Sequence, residues 1–156
     1  MNEQEFALRI TEIRHKLYKT ALLYMGNEIL AVDVLDEAVY KGLRNVKKLR
    51  KPEFFTTWMT RILINECHRE HKRRNRFRPL DELPETAVEE FDSLPLREAI
   101  QKLPQNLKDV IILRYFSGYT LAETAQALEI PQGTAATRQR KALALLKLDL
   151  GEEDVQ

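Results

Sequence analysis

Residues 120–142, TLAETAQALEIPQGTAATRQRKA, place short polar side chains at the start of a helix and cations further along it. A helix that reads base edges and grips phosphates needs both. Thr120 caps a first helix, and Glu123 reaches back to the cap amide as the second half of a capping box. Ala125 is small enough for a second helix to cross closely, and Leu128 and Ile130 supply apolar contacts on either side of the turn. Pro131 disfavours helical dihedrals at Ile130, so the first helix stops before it. The second helix starts near Gln132, with Gly133 in its first turn, and carries Thr134, Thr137, Arg138, Arg140 and Lys141. This is the outline of a helix-turn-helix; the alternative is a helical hairpin whose charged face is merely solvated.

A second set of residues suited to a polyanion lies upstream. Lys41, Arg44, Lys47, Lys48, Arg50 and Lys51 fall together without an acid, and Arg69, Lys72, Arg73, Arg74, Arg76 and Arg78 against Glu70 alone. Asp81, Glu82, Glu85, Glu89, Glu90 and Asp92 follow with no cation among them. The formal net charge of +1 hides this segregation, which points to a polyanionic partner. At about 100° per residue, Thr57, Arg61, Asn65, His68 and Lys72 share one face of a helix predicted over 53–74, with Trp58 at its edge. Cations there meet phosphates and Asn65 can hydrogen-bond a base. An aromatic can stack on a base, which in DNA requires partly opened strands; for Trp58, a core position is favoured over stacking. The basic loop over 45–52, with Lys47, Lys48, Arg50 and Lys51, is adjacent and can hold an extruded base.

Other chemistries find less support. Asp33, Asp36, Glu37 and Tyr40 cluster on the exposed side of a second helix, either as solvated surface or as a docking face for a basic protein. Cys67 and His71 are spaced to share a metal, but a structural zinc needs four ligands and only His15 remains, on another helix. No metal or other cofactor is expected. There is no Gly-rich phosphate loop, no nucleophile in a recognisable motif and no spacing that suggests paired carboxylates, so no enzyme activity is expected either.

The elements that must position these residues are helical. In 156 residues, five Gly and six Pro leave few turn signals, which argues against a many-stranded fold. Phe6, Ile10, Ile13, Leu17, Ala21 and Tyr24 recur at helical spacing in a first helix that should end near Gly26. A second helix over 28–46 buries Ala31, Val34, Leu35, Ala38, Val39 and Leu43, and the third has Phe55, Trp58, Met59, Ile62 and Leu63 as its apolar stripe. Pro79, Pro84 and Pro95 bracket an extended acidic segment. Beyond it come a short helix over 96–103, a helix with Pro104 at its first position and Gly118 as its C-cap, the helix-turn-helix, and a frayed tail over 151–156. The expected architecture is all-α: two small helical domains, 1–78 and 95–150, joined by a flexible acidic linker over 79–94, the C-terminal one containing the helix-turn-helix. Short apolar runs, no signal-peptide core and a single Cys67 predict a cytoplasmic protein with no membrane insertion of its own.

Taken in order, AVDVLDEAVYKGLRNV, FFTTWMTRILINECHREHKRR and LPQNLKDVIILRYFSGYTLAETAQALEIPQGTAATRQRKALALL resemble three parts of a bacterial RNA polymerase sigma factor of the extracytoplasmic-function group. They are similar to its core-binding helix, its promoter-melting helix and its C-terminal domain. The resemblance implies that Asp33, Asp36 and Glu37, with Tyr40 beside them, dock on the polymerase clamp. It implies that the loop over 45–52, with Trp58, Arg61, Asn65, Arg69 and Lys72, reads the −10 element and stabilises its opened non-template strand. The helix from Gln132 would read the −35 element, and the linker would run near the RNA path. Core RNA polymerase, promoter DNA and an anti-sigma factor are the implied partners. Five positions depart from the family pattern: Asp36 stands for a usual Gln, Glu129 for a turn Gly, Ala135 and Ala136 for Val and Lys, and Gln139 for an apolar residue. If position 129 needs a positive φ, the turn is strained there. A free-standing helix-turn-helix regulator and a helical adaptor that binds only proteins are the alternatives. The acidic stripe and tether weigh against the first, and the twelve clustered cations against the second.

Overall fold

The computed structural model describes residues 1–77 and 94–150, all of whose regular elements are helical. The expected linker, apart from Leu94, and the tail over 151–156 lie outside the described residues, as does Arg78. The chain divides into two compact units, Met1–Ala87 and Val88–Gln156.

Local capping chemistry sets the first hairpin. Helix α1 (Glu3–Met25) opens at Asn2, whose side chain accepts from the Glu5 N–H at 2.8 Å. It closes at Gly26, where φ is 68° and the backbone N–H donates to the Leu22 carbonyl. A left-handed residue is what a helix end needs there, and glycine adopts it without a Cβ clash. Asn27 restarts the chain at once: its buried side chain accepts from the amides of Ile29 and Leu30 and caps α2 (Glu28–Asn45). A 3₁₀ turn at Val46–Lys48 takes the last residue of the expected second helix, and another at Pro52–Phe54 leads into α3 (Phe55–Phe77).

Helices α1, α2 and α3 pack mutually around Phe6, Leu17, Tyr24, Leu35, Ala38, Phe55, Met59 and Leu63. The helices approach closely at Gly42 of α2, where a Cβ would stand 2.7 Å from the Met59 sulfur and 3.1 Å from the Phe6 ring. Phe6 meets Phe55 edge-on at 5.6 Å. Because Gly42 takes the inward position, Leu43 is turned out by one helical step, and the expectation that it is buried is wrong. Ile13, Val39 and Ile62 are half-buried rather than core, as is Trp58, whose ring lies tilted 5.9 Å from Phe55.

In the second unit, α4 (Leu94–Lys102), α5 (Gln105–Ile111), α6 (Leu121–Leu128) and α7 (Gln132–Leu150) gather around Ile100, Leu107, Val110, Leu113, Ala135, Ala142 and Leu146. Pro104 precedes α5 instead of opening it, since its ψ of 146° is extended; its carbonyl accepts from Leu107 and Lys108. After Ile111 the helix widens into a π turn at Ile112–Phe116, which no sequence signal announced. Ser117 ends that turn and Gly118 follows at φ 76°. Among the described residues, no helix is long and apolar enough to cross a membrane.

Candidate nucleic-acid and protein interfaces

The helix-turn-helix forms as its residues dictate. Thr120 Oγ1 accepts from the Glu123 amide at 3.1 Å, and Glu123 Oε1 accepts from the Thr120 amide at 2.9 Å. Thr120 is exposed, with its hydroxyl already engaged in this cap. At the turn, Glu129 sits at φ 54° and ψ 46°, the left-handed conformation that a glycine takes without strain. It is held there by the helix end: Glu129 N–H donates to Gln126 and Ile130 N–H to Ala125. Ala125 and Ala127 of α6 and Ala135 and Ala142 of α7 are buried, and α6 and α7 pack against each other.

Along α7, Gln132, Gly133, Thr137, Arg140 and Lys141 are exposed, while Thr134 and Arg138 are half-buried. Arg140 donates to the Thr137 hydroxyl at 3.2 Å, one turn back. Gln139 has a role that its departure from the family pattern did not suggest. Arg114 Nε donates to its side-chain oxygen at 3.0 Å, while Arg114 Nη1 donates to the Tyr119 carbonyl at 2.8 Å. Arg114 lies in the π turn, so one guanidinium ties that turn, the entry to α6 and the middle of α7 together. Sequence reasoning missed it, because the pairing spans 25 residues.

In the first unit, Lys47, Lys48, Arg50 and Lys51 are exposed on the segment before α3, with the Lys51 ammonium 5.8 Å from the Phe54 ring centre. Asn65, Arg69 and Lys72 are exposed along α3, and Arg61 and Trp58 are half-buried. Thr57 leaves the predicted face: it is buried and its hydroxyl donates to the Phe54 carbonyl at 3.1 Å. His68 stands edge-on to Tyr24 at 5.9 Å. Two cations of the basic clusters are paired with acids of the same unit, the half-buried Lys41 with Glu66 and the exposed Arg73 with Glu70.

On α2, Asp33, Asp36, Glu37 and Tyr40 are all exposed. Asp36 accepts from Arg14 of α1 at 3.2 Å, and the Arg44 guanidinium lies 5.5 Å from the Tyr40 ring centre. The acids share their surface with apolar side chains that sequence reasoning did not place there. Ile29 is 59% exposed, and Val32 and Leu43 are also open, beside the expected Tyr40 at 54%. The signal was present in the helical spacing of 29, 32, 36, 40 and 43, a second stripe outside the buried one. The surface is therefore mixed, acidic and apolar. Cys67 is fully buried, and the described residues hold no cluster of three His, Cys, Asp or Glu able to bind a metal.

Comparison with known proteins matches both units. The family pattern for sigma-70 region 2 matches residues 10–77, and that for sigma-70, region 4 matches residues 99–148. RNA polymerase sigma factor SigV of Bacillus subtilis is 29% identical over 151 residues, covering 94% of this chain and 91% of that protein. ECF RNA polymerase sigma factor SigW of the same organism is 26% identical over 169 residues, covering 96% and 90%. The Bartonella quintana sigma factor RpoE, solved with the anti-sigma factor NepR, superposes with a TM-score of 0.76 at 19% identity, covering 94% of this chain and 97% of that one. CnrH, solved with the cytosolic domain of CnrY, gives 0.73 at 19% identity, covering 94% and 88%.

The strain at Glu129 can be measured. Glu129→Gly relieves the left-handed clash at some cost in unfolded-state entropy and should raise stability by roughly 0.5–1 kcal/mol. Glu129→Ala keeps the Cβ and should not. Denaturant unfolding of the full chain followed by circular dichroism distinguishes them; equal stability of all three proteins would mean the turn is unstrained.

Proposed function

The chain belongs to the extracytoplasmic-function group of the sigma-70 family and is a sigma factor, and from that premise we propose how its residues divide the work of promoter recognition. Members of this family are non-enzymatic factors of transcription initiation. Residues 1–78 bind core polymerase and the −10 element, the acidic segment over 79–94 connects, and residues 95–150 bind the −35 element.

One observation carries this division. The three-helix unit presents an acidic and apolar face on α2 and a cationic face on α3. The first repels DNA and suits a protein with basic and apolar surface; the second suits phosphates. Asp33, Asp36, Glu37 and Tyr40, joined by Ile29, Val32 and Leu43, form the core-polymerase contact. Lys47, Lys48, Arg50 and Lys51 with Trp58, Arg61, Asn65, Arg69 and Lys72 form the −10 contact. Cations fix the backbone, Asn65 offers a hydrogen bond to a base, and Trp58 is placed at the edge of this face. Thr120, Gln132, Gly133, Thr134, Thr137, Arg138, Arg140 and Lys141 form the −35 contact. The chain works in the cytoplasm, where the polymerase is, and an anti-sigma factor is a further partner, as for the Bartonella quintana sigma factor whose solved complex it superposes on. A free-standing regulator is not favoured, because the similarity to sigma factors runs through both units.

Two tests separate the faces. Asp33→Lys with Glu37→Lys should abolish retention by core polymerase in a pull-down while the circular dichroism spectrum stays native; normal retention would remove α2 from the contact. Arg61→Ala or Lys72→Ala in the reconstituted holoenzyme should weaken promoter binding and flatten its dependence on salt, each lost phosphate contact reducing the log–log slope by about one unit. An unchanged slope in both variants would take that face off the DNA.

A further inference from the structure

From Arg61 to Arg76, α3 carries six cations besides its histidines but only two acids, Glu66 and Glu70. Glu70 pairs with Arg73 one turn along. Glu66 is placed differently. Its side chain is 8% exposed, and its Oε2 accepts from the Lys41 ammonium, which reaches across from α2 and is itself only 26% exposed. The same oxygen lies 3.9 Å from Nε of Arg69, whose side chain is 71% exposed. One buried carboxylate thus holds a cation of the neighbouring helix and lies within ion-pair range of an exposed guanidinium on its own helix.

An ion pair in that position is weak as a stabilising device, since removing both charges from water offsets much of their attraction and apolar residues fill such places well. Its effect on the surface is larger. Lys41 belongs in sequence to the basic cluster but adds no net positive charge there, because Glu66 cancels it. Arg69 has its Nε side toward the same carboxylate at 3.9 Å, a contact too long for a hydrogen bond, so the attraction biases the direction of its exposed guanidinium without fixing it. The carboxylate is on the residue next to Asn65 and within a Debye length of any phosphate that Arg69 reaches.

We propose that Glu66 is a specificity-determining positioning residue of the −10 face: it cancels Lys41 and orients Arg69, so the face grips DNA backbone less strongly and discriminates sequence better. The inference rests on the placement of α3 against −10 DNA proposed above. It assigns to a buried acid what net charge alone would give to the exposed cations.

The test uses the reconstituted holoenzyme on a promoter fragment and on the same fragment with a scrambled −10 element, across a series of salt concentrations. Glu66→Gln should tighten binding to the scrambled fragment about three- to tenfold at low salt and steepen the salt slope by about one unit, as one phosphate-binding cation is released. Promoter binding should rise less, so the ratio of the two affinities falls. Glu12→Gln, the same net change at an exposed site on α1, should do neither. If Glu66→Gln does not fold, Lys41→Met with Glu66→Leu removes the pair without leaving a buried charge; it should keep the wild-type slope and still lower the ratio, because Arg69 has lost the carboxylate that biases its direction. A folded Glu66→Gln with unchanged affinity ratio, or a double variant with the wild-type ratio, overturns the proposal. Where Arg61→Ala and Lys72→Ala flatten the slope but Glu66→Gln does nothing, only this inference falls; where none of them acts, the −10 reading falls with it.

Discussion

A cationic helix gains little from its own charges and needs an apolar partner to stay folded and aimed. Isolated helices of this length are marginal in water, and most of their stability in proteins comes from burying one face. In α3, Phe55, Met59, Leu63 and Cys67 recur every four residues and are fully buried. Burial of that stripe against α1 and α2 fixes the rotation of the helix about its axis. The directions of Asn65, Arg69 and Lys72 follow from it. The approach that allows the burial is set at Gly42, where α2 comes close enough to touch Met59 and Phe6 only because no Cβ intervenes. Helix α7 obeys the same constraint with smaller residues, Ala135 and Ala142 inward and Gln132, Thr137, Arg140 and Lys141 outward.

Within that frame the charges are allocated rather than spread. Arg14 is held by Asp36, Lys41 by Glu66, Arg73 by Glu70, and Arg114 by Gln139 and the Tyr119 carbonyl. These interactions tie α1 to α2, α2 to α3, and the π turn to α7. The exposed pairs among them add little stability. Their consequence is for function: a cation paired inside the protein is less available to a phosphate, and an acid paired to Arg14 meets a protein partner with part of its charge already answered. The functional surface is therefore smaller than the clusters of Lys and Arg in the chain suggest.

Much of this was legible before any coordinates, where the cause is local. Gly26 and the Thr120–Glu123 capping box follow from residues within one turn, and the structure has both; the left-handed Glu129 was signalled only by the glycine usual at that place in the family. The spacing of its apolar residues gave the buried side of α3 at Phe55, Met59 and Leu63, while Trp58 and Ile62 of the same expected stripe are only half-buried. What was not legible depends on partners far along the chain. Periodicity gives the angle of Leu43 on α2 but not that Gly42 would take the inward place. Thr57 carries a helical-face position in sequence, yet a carbonyl three residues back draws it inside. Lys41 and Glu66 are 25 residues apart, as are Arg114 and Gln139, and no pattern in the chain pairs them. Gln139 shows the difference well: as a lone substitution it reads as a lost apolar contact, and in the structure it is the acceptor for Arg114.

The central claim is that this chain supplies promoter specificity only in combination with core polymerase, one unit reading −10 DNA and the other −35 DNA. The most direct test is transcription reconstituted from the purified chain and core enzyme on a library of promoters randomised at both elements. The account predicts start-site-specific transcripts that require both elements at fixed spacing, with no sequence-specific DNA binding by the chain alone. Tight, sequence-specific binding by the free protein, together with transcripts that do not depend on it, would contradict the account.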